Sequence, residues 1–339
     1  MSKALEICKV LEHLASLIIR EMKGIWPEGG EGVLREALLM GVLTALLMAM
    51  GLGLGYYFGN PAQWMLGGLI MSAFINIFAY AFSDKIVLSM TGAKLVPESE
   101  VPMLHRIAEH LSLKAGIPKP KVAIIPAPTP NAFATGRGPK NATIAVTEGL
   151  MTVLNEREIE AVLGHELAHV LHKDTLVSAM AATIAGAISY LAYLGRWGIF
   201  FGRSREDRES VPLFAVMLSL ILIPIAAALI RLAISREREY KADEEGAKLT
   251  GRPIALSNAL IKIRNAVLHH PPLTVNPGTT HLWIVNPLRG ESLLELLSTH
   301  PSVEKRVSRL RELANEMGIW DERPIPLESI DSRSLMFFW

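Results

Sequence analysis

The residues His165-Glu166-Leu167-Ala168-His169 place two imidazoles four positions apart with a carboxylate beside the first. On a helix, positions i and i+4 share one face, so both rings can reach a single ion. Glu166 lies about 100° round the helix from His165, beside such an ion and not on it. From there it can take a proton from a water that zinc activates by lowering its pKa to about 7. A surface helix carrying two histidines and a salt-bridging glutamate has the same spelling, so a further ligand must be found. A catalytic zinc takes three protein ligands and keeps one position open. His172 leaves the metal face, the longer three-histidine spacing lands on Thr175, and Asp174 misses that spacing as well. Glu239, within Ser235-Arg236-Glu237-Arg238-Glu239-Tyr240-Lys241-Ala242-Asp243, is the better candidate. Asp243 lies one turn beyond it on the same helix face. One carboxylate can bind the metal while the other accepts the free N–H of a ligand histidine, foremost His165, and fixes its tautomer. Glu237 competes as ligand, and an ordinary charged helix beside a membrane competes with the whole reading.

These residues need rigid elements to carry them. Glu156 to His172 has strong helical periodicity, and Val101 to Leu113 puts Leu104, Ile107, Ala108 and Leu111 on one face. Lys121 to Ile125, Asn131 to Thr135 and Thr143 to Val146 read as short strands, the last two joined through Gly136-Arg137-Gly138. Glu237 to Leu249, Ile254 to Val267 and Pro301 to Met317 read as helices, with Pro301 suited to start the third. Trp320 to Trp339 has no clear pattern.

The remaining sequence points to a bilayer. Half of the 339 residues are hydrophobic and the mean hydropathy is +0.31. Ala37 to Phe58 and Ala62 to Phe82 are uncharged and each has roughly the 20 residues a helix needs to cross hydrocarbon. Only Gly59-Asn60-Pro61 separates them, which predicts a tight helical hairpin. Gly51, Gly55 and Gly59 recur every four residues, a smooth ridge for close helix packing. A second apolar pair, Thr175 to Leu194 and Val211 to Ile230, carries Pro224 in its second member; a long buried hairpin is the alternative to two more spans. With four spans, eleven Lys and Arg flank the membrane on the side of the large segments, against Arg196, Arg203, Arg205 and Arg208 on the other. The positive-inside rule then places the large segments in the cytoplasm. Residues 1–36 lack a cleavage pattern and suggest an amphipathic helix through Leu5, Val10, Leu11, Leu14 and Leu17. Net charge is +1, so no basic field points to nucleic acid, and Cys8, the only cysteine, excludes an intrachain disulfide.

The chain resembles the HtpX-type integral-membrane zinc metalloproteases. The likeness runs from about Leu38 to Leu310 and rests on Asn131-Ala132-Phe133-Ala134-Thr135-Gly136, Val146-Thr147-Glu148-Gly149-Leu150, His165 to His169, Ser235 to Asp243 and Ser298-Thr299-His300-Pro301. It implies one Zn²⁺ on His165, His169 and Glu239, Glu166 as catalytic acid/base, a cytoplasmic active site and a role in membrane-protein quality control under stress. The first 30 or so residues extend beyond the family's usual start. The expected fold is a membrane protein of mixed α/β type dominated by helices, with a gluzincin-like HExxH catalytic domain. Its expected parts are an N-terminal extension at 1–36, a transmembrane hairpin at 37–82, and the first part of the catalytic domain at 83–174. A second hairpin at 175–230, the rest of the catalytic domain at 231–319 and a tail at 320–339 follow. The strand Asn131, Ala132, Phe133, Ala134 can serve as an edge to which an extended substrate adds by main-chain hydrogen bonds; a plain core strand is the alternative. His300 and Arg306 can stabilise the oxyanion or hold substrate, or serve in a structural ion pair or at a helix end. The expected partners are polypeptides, membrane proteins among them, and the lipid bilayer. Two rival functions stay open: a prenyl-protein (CAAX-type) membrane endopeptidase, and a non-catalytic membrane scaffold with a structural metal.

Overall fold

The computed structural model describes residues 31–184, 236–269, 282–284 and 301–326. The expected N-terminal amphipathic helix, the later apolar stretches beyond Ile184, His300 and the last residues of the tail lie outside them.

Two long helices come first, α1 (Glu31–Phe58) and α2 (Pro61–Thr91), folded into a hairpin at Gly59 and Asn60, both with positive φ. Small residues set how close the two helices come. A methyl group at Gly51 would stand 2.3 Å from the Trp64 carbonyl oxygen, one at Gly68 2.3 Å from that of Leu47. Gly55 belongs to the same contact, against Pro61. Gly59 does not: it has φ 84 and open space around it, so it makes the turn and its place in the ridge is taken by Gly68 of the facing helix. Asn76 ties the pair further, donating to the Met40 carbonyl and to Thr44. The opposite face of α2 exposes Phe74, Ile77, Phe78 and Phe82. This helix is long and apolar enough to cross a membrane, and α1 contains the apolar run Ala37–Leu52.

A four-stranded sheet follows, made of β1 (Lys94–Leu95), β2 (Lys121–Ile125), β3 (Ala132–Thr135) and β4 (Thr143–Thr147) in the order β1-β2-β4-β3. The β2–β4 pair is parallel and the other two are antiparallel. Both faces are covered, and the period-2 alternation sorts the side chains. Val122, Ala132, Ala134, Ile144 and Val146 enter the core shared with the helices that follow. Ala123, Ile125, Phe133 and Ala145 turn the other way, toward Val87 of α2 and toward Ala179 and Ala182. The sheet thus lies between the end of the apolar hairpin and the helical layer.

That layer contains α3 (Pro102–Ala115), the short α4 (Glu148–Val153), α5 (Glu156–Leu171), α7 (Arg236–Thr250), α8 (Pro253–His269) and α9 (Val303–Met317), whereas the stretch α6 (Asp174–Ile184) packs against the hairpin on the other face of the sheet. Leu104, Ile107, Ala108 and Leu111 of α3 are buried as their spacing predicts. Helix α5 begins with a full capping box, Asn155 and Glu158 each holding the other's backbone N–H. Helix α9 corrects one expectation: Ser302 caps its start by accepting from the Lys305 N–H, and Pro301 precedes the cap. The capping oxygen, which proline lacks, decides where the first turn closes. β1 and α4 were not expected; two and six residues are too short to show a period.

Candidate metal centre

Helices α5 and α7, which carry the candidate ligands, cross in backbone contact. A methyl group placed on Gly246 would stand 2.6 Å from the His165 nitrogen and 2.7 Å from its Cα, and one on Gly164 3.1 Å from the Gly246 carbonyl oxygen. With no side chain between them, a carboxylate on α7 reaches the histidines of α5. His165, His169 and Glu239 offer ligand atoms that all lie within 4.8 Å of one another. His169 Nε2 is 3.4 Å from Glu239 Oε1 and 3.3 Å from His165 Nε2, and His165 Nε2 is 3.8 Å from Glu239 Oε2. His165 and Glu239 are buried. The rival Glu237 is exposed and stands outside this group, because two residues along a helix turn a side chain to the far side. His172 is also exposed and pairs with Glu245.

Each imidazole meets a second carboxylate through its other nitrogen. His165 Nδ1 lies 3.0 Å from Asp243 Oδ1. His169 Nδ1 lies 3.3 Å from Asp174 Oδ2. The Nε2 atoms are thereby left to face Glu239. Burial opposes a charge on His169, yet the hydrogen bond to Asp174 and the fields of Glu239 and Glu166 outweigh it and push its pKa up to about 9. A metal binding here displaces that proton.

Glu166 is buried, and one of its oxygens accepts the Ala134 N–H of β3 at 2.9 Å. Burial raises its pKa above the ordinary carboxylate range, although both histidines pull it down. A carboxylate shifted in that direction is better matched to proton transfer near neutral pH.

Arg306, reached from α9, is almost fully buried and spends its guanidinium on Asp243, with Nε to Oδ2 at 2.7 Å and Nη2 to Oδ1 at 2.6 Å. Its Nη1 donates to the Ile284 carbonyl and lies 3.7 Å from Glu239. Burial works to raise the Asp243 pKa, but the guanidinium prevails and holds it below its usual value. This geometry is that of a buried ion pair behind the three candidate ligands. Replacing Arg306 by Met leaves Asp243 buried without its counter-charge. It is expected to cost about 3–5 kcal/mol in denaturation of the metal-free protein in detergent, and Arg306→Met/Asp243→Leu is expected to recover much of that.

The strand residues Asn131 to Ala134 lie at the sheet edge, since among the described residues β3 pairs only with β4. Asn131 points its amide elsewhere: it donates to the Leu282 carbonyl and accepts from the Ile284 N–H, pinning that segment beside the sheet. In the sequence Asp174 reads only as a possible metal ligand and Arg238 only as one of the basic residues beside the apolar stretches; the structure pairs them. The available signal was Asp174's place just beyond the end of the His169 helix. There Lys173, with φ 60, turns the chain back on itself.

Three donors of the histidine and carboxylate type, two of them buried and His169 partly so, lie close enough together to fit a zinc ion. No fourth ligand joins them among the described residues, as a catalytic site requires and a structural one does not. The description Peptidase family M48 matches residues 98–314, a segment that contains every residue of this centre. The chain belongs to peptidase family M48. Among curated M48-type relatives, a "Protease HtpX homolog" of Pyrococcus furiosus is 51% identical over 296 residues, covering 87% of this chain and 98% of that protein. Another from Aquifex aeolicus is 52% identical over 280 residues, covering 81% and 91%. The crystal structure of S. mikatae Ste24p covers 82% of this chain and 65% of its own, with 18% identity and a TM-score of 0.45, a likeness too loose to carry structural detail. This M48 protein is a zinc-dependent metalloprotease, a hydrolase acting on the peptide bonds of polypeptides.

Proposed function

We propose that His165, His169 and Glu239 hold one Zn²⁺, that Glu166 is its acid/base, and that the enzyme degrades misfolded membrane proteins from the cytoplasmic side. The observation that carries this reading is the convergence of those three donors beside a carboxylate bound to an edge strand. Held by these residues, a zinc ion would supply charge to polarise the scissile carbonyl and would lower the pKa of water so that hydroxide is available near neutral pH. Glu166 takes the water's proton and returns it to the leaving amine. Asp243 keeps the His165 ring turned so that Nε2 faces the ligand group.

β3 supplies the place for substrate. Asn131 accepts from the Thr147 N–H, so Asn131, Phe133 and Thr135 direct their main chain at β4. Ala132 and Ala134 direct theirs outward, and the Ala134 N–H meets Glu166. An extended segment laid along that edge passes the general base, with recognition carried by main-chain groups and therefore tolerant of sequence.

The hairpin α1–α2 and the later apolar pair form four spans in this reading. The exposed aromatic face of α2 and the excess of Lys and Arg on one side support it. It also puts Cys8 in the cytoplasm. A membrane-impermeant maleimide should label Cys8 only after cells are opened; labelling in intact cells would reverse the orientation. For the chemistry, the full chain purified in detergent with zinc should cleave casein. A strong zinc chelator should stop cleavage and added zinc restore it. Cleavage that persists after the metal is stripped contradicts the mechanism.

A further inference from the structure

We propose that Asp174 and Arg238 are a positioning pair for His169, so that each imidazole of the centre is held by its own carboxylate with an arginine behind it. The first arm is His165, Asp243 and Arg306. The second repeats its chemistry from different elements: His169 Nδ1 faces Asp174 Oδ2 at 3.3 Å, and Arg238 Nη1 donates to Asp174 Oδ1. Asp174 is buried, which makes an unpaired charge there costly. Arg238 supplies the counter-charge, and the other carboxylate oxygen faces His169 Nδ1, placed to accept its N–H. The accepted proton fixes the tautomer in which Nε2 is free to bind metal. Asp174 itself stands outside the ligand group, so its role is on the ring and not on the ion.

The placement of the two residues adds a second consequence. Asp174 opens α6, where the second apolar stretch of the sequence begins, and Arg238 lies in the first turn of α7, after that stretch has ended. One ion pair therefore closes the two ends of the apolar excursion together, and it does so on a metal-ligand histidine. The orientation of His169 is thereby tied to the separation of those ends.

This inference rests on the zinc reading above, and its test separates the two. In a Glu166→Gln parent, which blocks self-cleavage, zinc affinity of the full chain in detergent is measured by competition with a chromogenic chelator. Asp174→Asn should weaken zinc about 10–100-fold, the usual cost of losing an outer partner of a ligand histidine, while far-UV circular dichroism of the metal-free protein stays the same. Arg238→Gln should weaken it less, and Asp174→Asn/Arg238→Gln should be no weaker than Asp174→Asn alone, because the two act through one contact. If Asp174→Asn fails to fold, Arg238→Gln carries the test with the same readout. Asp174→Asn binding zinc as tightly as the parent, or losses that simply add in the double variant, would overturn the pair. A parent that binds no zinc at all would instead overturn the metal reading.

Discussion

Glu166→Gln is expected to lower casein cleavage by about 10²–10⁴-fold, the range that a positioned general acid/base contributes, with zinc still bound at one per chain. The substitution is nearly isosteric. The new amide oxygen can still accept the Ala134 N–H that Glu166 Oε2 accepts now, so β3 keeps its anchor on α5. The three ligand side chains are untouched. Folding should not suffer, because the change removes a charge whose burial is unfavourable, as its raised pKa records. What is lost is only the ability to take and return a proton. Comparing kcat with KM sharpens the result: the loss should fall in kcat, since main-chain recognition at the strand edge remains. A variant that cleaves as fast as the parent would remove Glu166 from the mechanism.

A second large effect should come from a residue with no functional group. Gly246→Leu puts a side chain where a single Cβ would already stand 2.6 Å from the His165 nitrogen and 2.8 Å from the Gly164 carbonyl carbon. Both neighbours are main-chain atoms of α5 and cannot rotate away. The helices must separate, and Glu239 travels with α7 while the histidines stay on α5. Metal ligation tolerates only a few tenths of an ångström, and a misplacement of about 1 Å at a catalytic group can cost about 10²-fold in rate. The expected outcome is a loss of cleavage of at least that size with a matching loss of zinc, read by metal analysis after dialysis. Overpacking should also lower stability by about 1–3 kcal/mol. Gly246→Leu with full zinc content and full activity would show that the helix crossing does not set the site.

The contrast between these two positions shows where the sequence was informative. His165, Glu166 and His169 were legible because helical spacing is a local rule: three side chains on one short segment declare their common target. Glu239 and Asp243 were legible as a pair for the same reason, and the hairpin α1–α2 because length and apolarity suffice. Spacing favours Glu239 over Glu237, and the direction in which α7 meets α5 shows why Glu237 stands apart. That direction follows from Gly164 and Gly246, which as isolated glycines carry no chemical signal. Asp174 and Arg238 were hidden more deeply, since 63 residues separate them from each other in the chain and only the turn at Lys173 brings the aspartate back to its histidine. Arg306 was noticed for its charge, but its role depends on Asp243 facing it across two helices. Local periodicity writes itself into sequence; contacts between elements do so only through pairs that must be seen together.

The most direct measurement of the central claim is X-ray absorption at the zinc edge on the Glu166→Gln protein loaded with one equivalent of Zn²⁺, repeated with Glu239→Ala added. The expected spectrum fits two imidazole nitrogens and carboxylate and solvent oxygens, all at about 2.0–2.2 Å, and Glu239→Ala should release the metal or strip the carboxylate oxygen from the shell. A spectrum unchanged by Glu239→Ala, with zinc bound as tightly as before, would contradict the site described above.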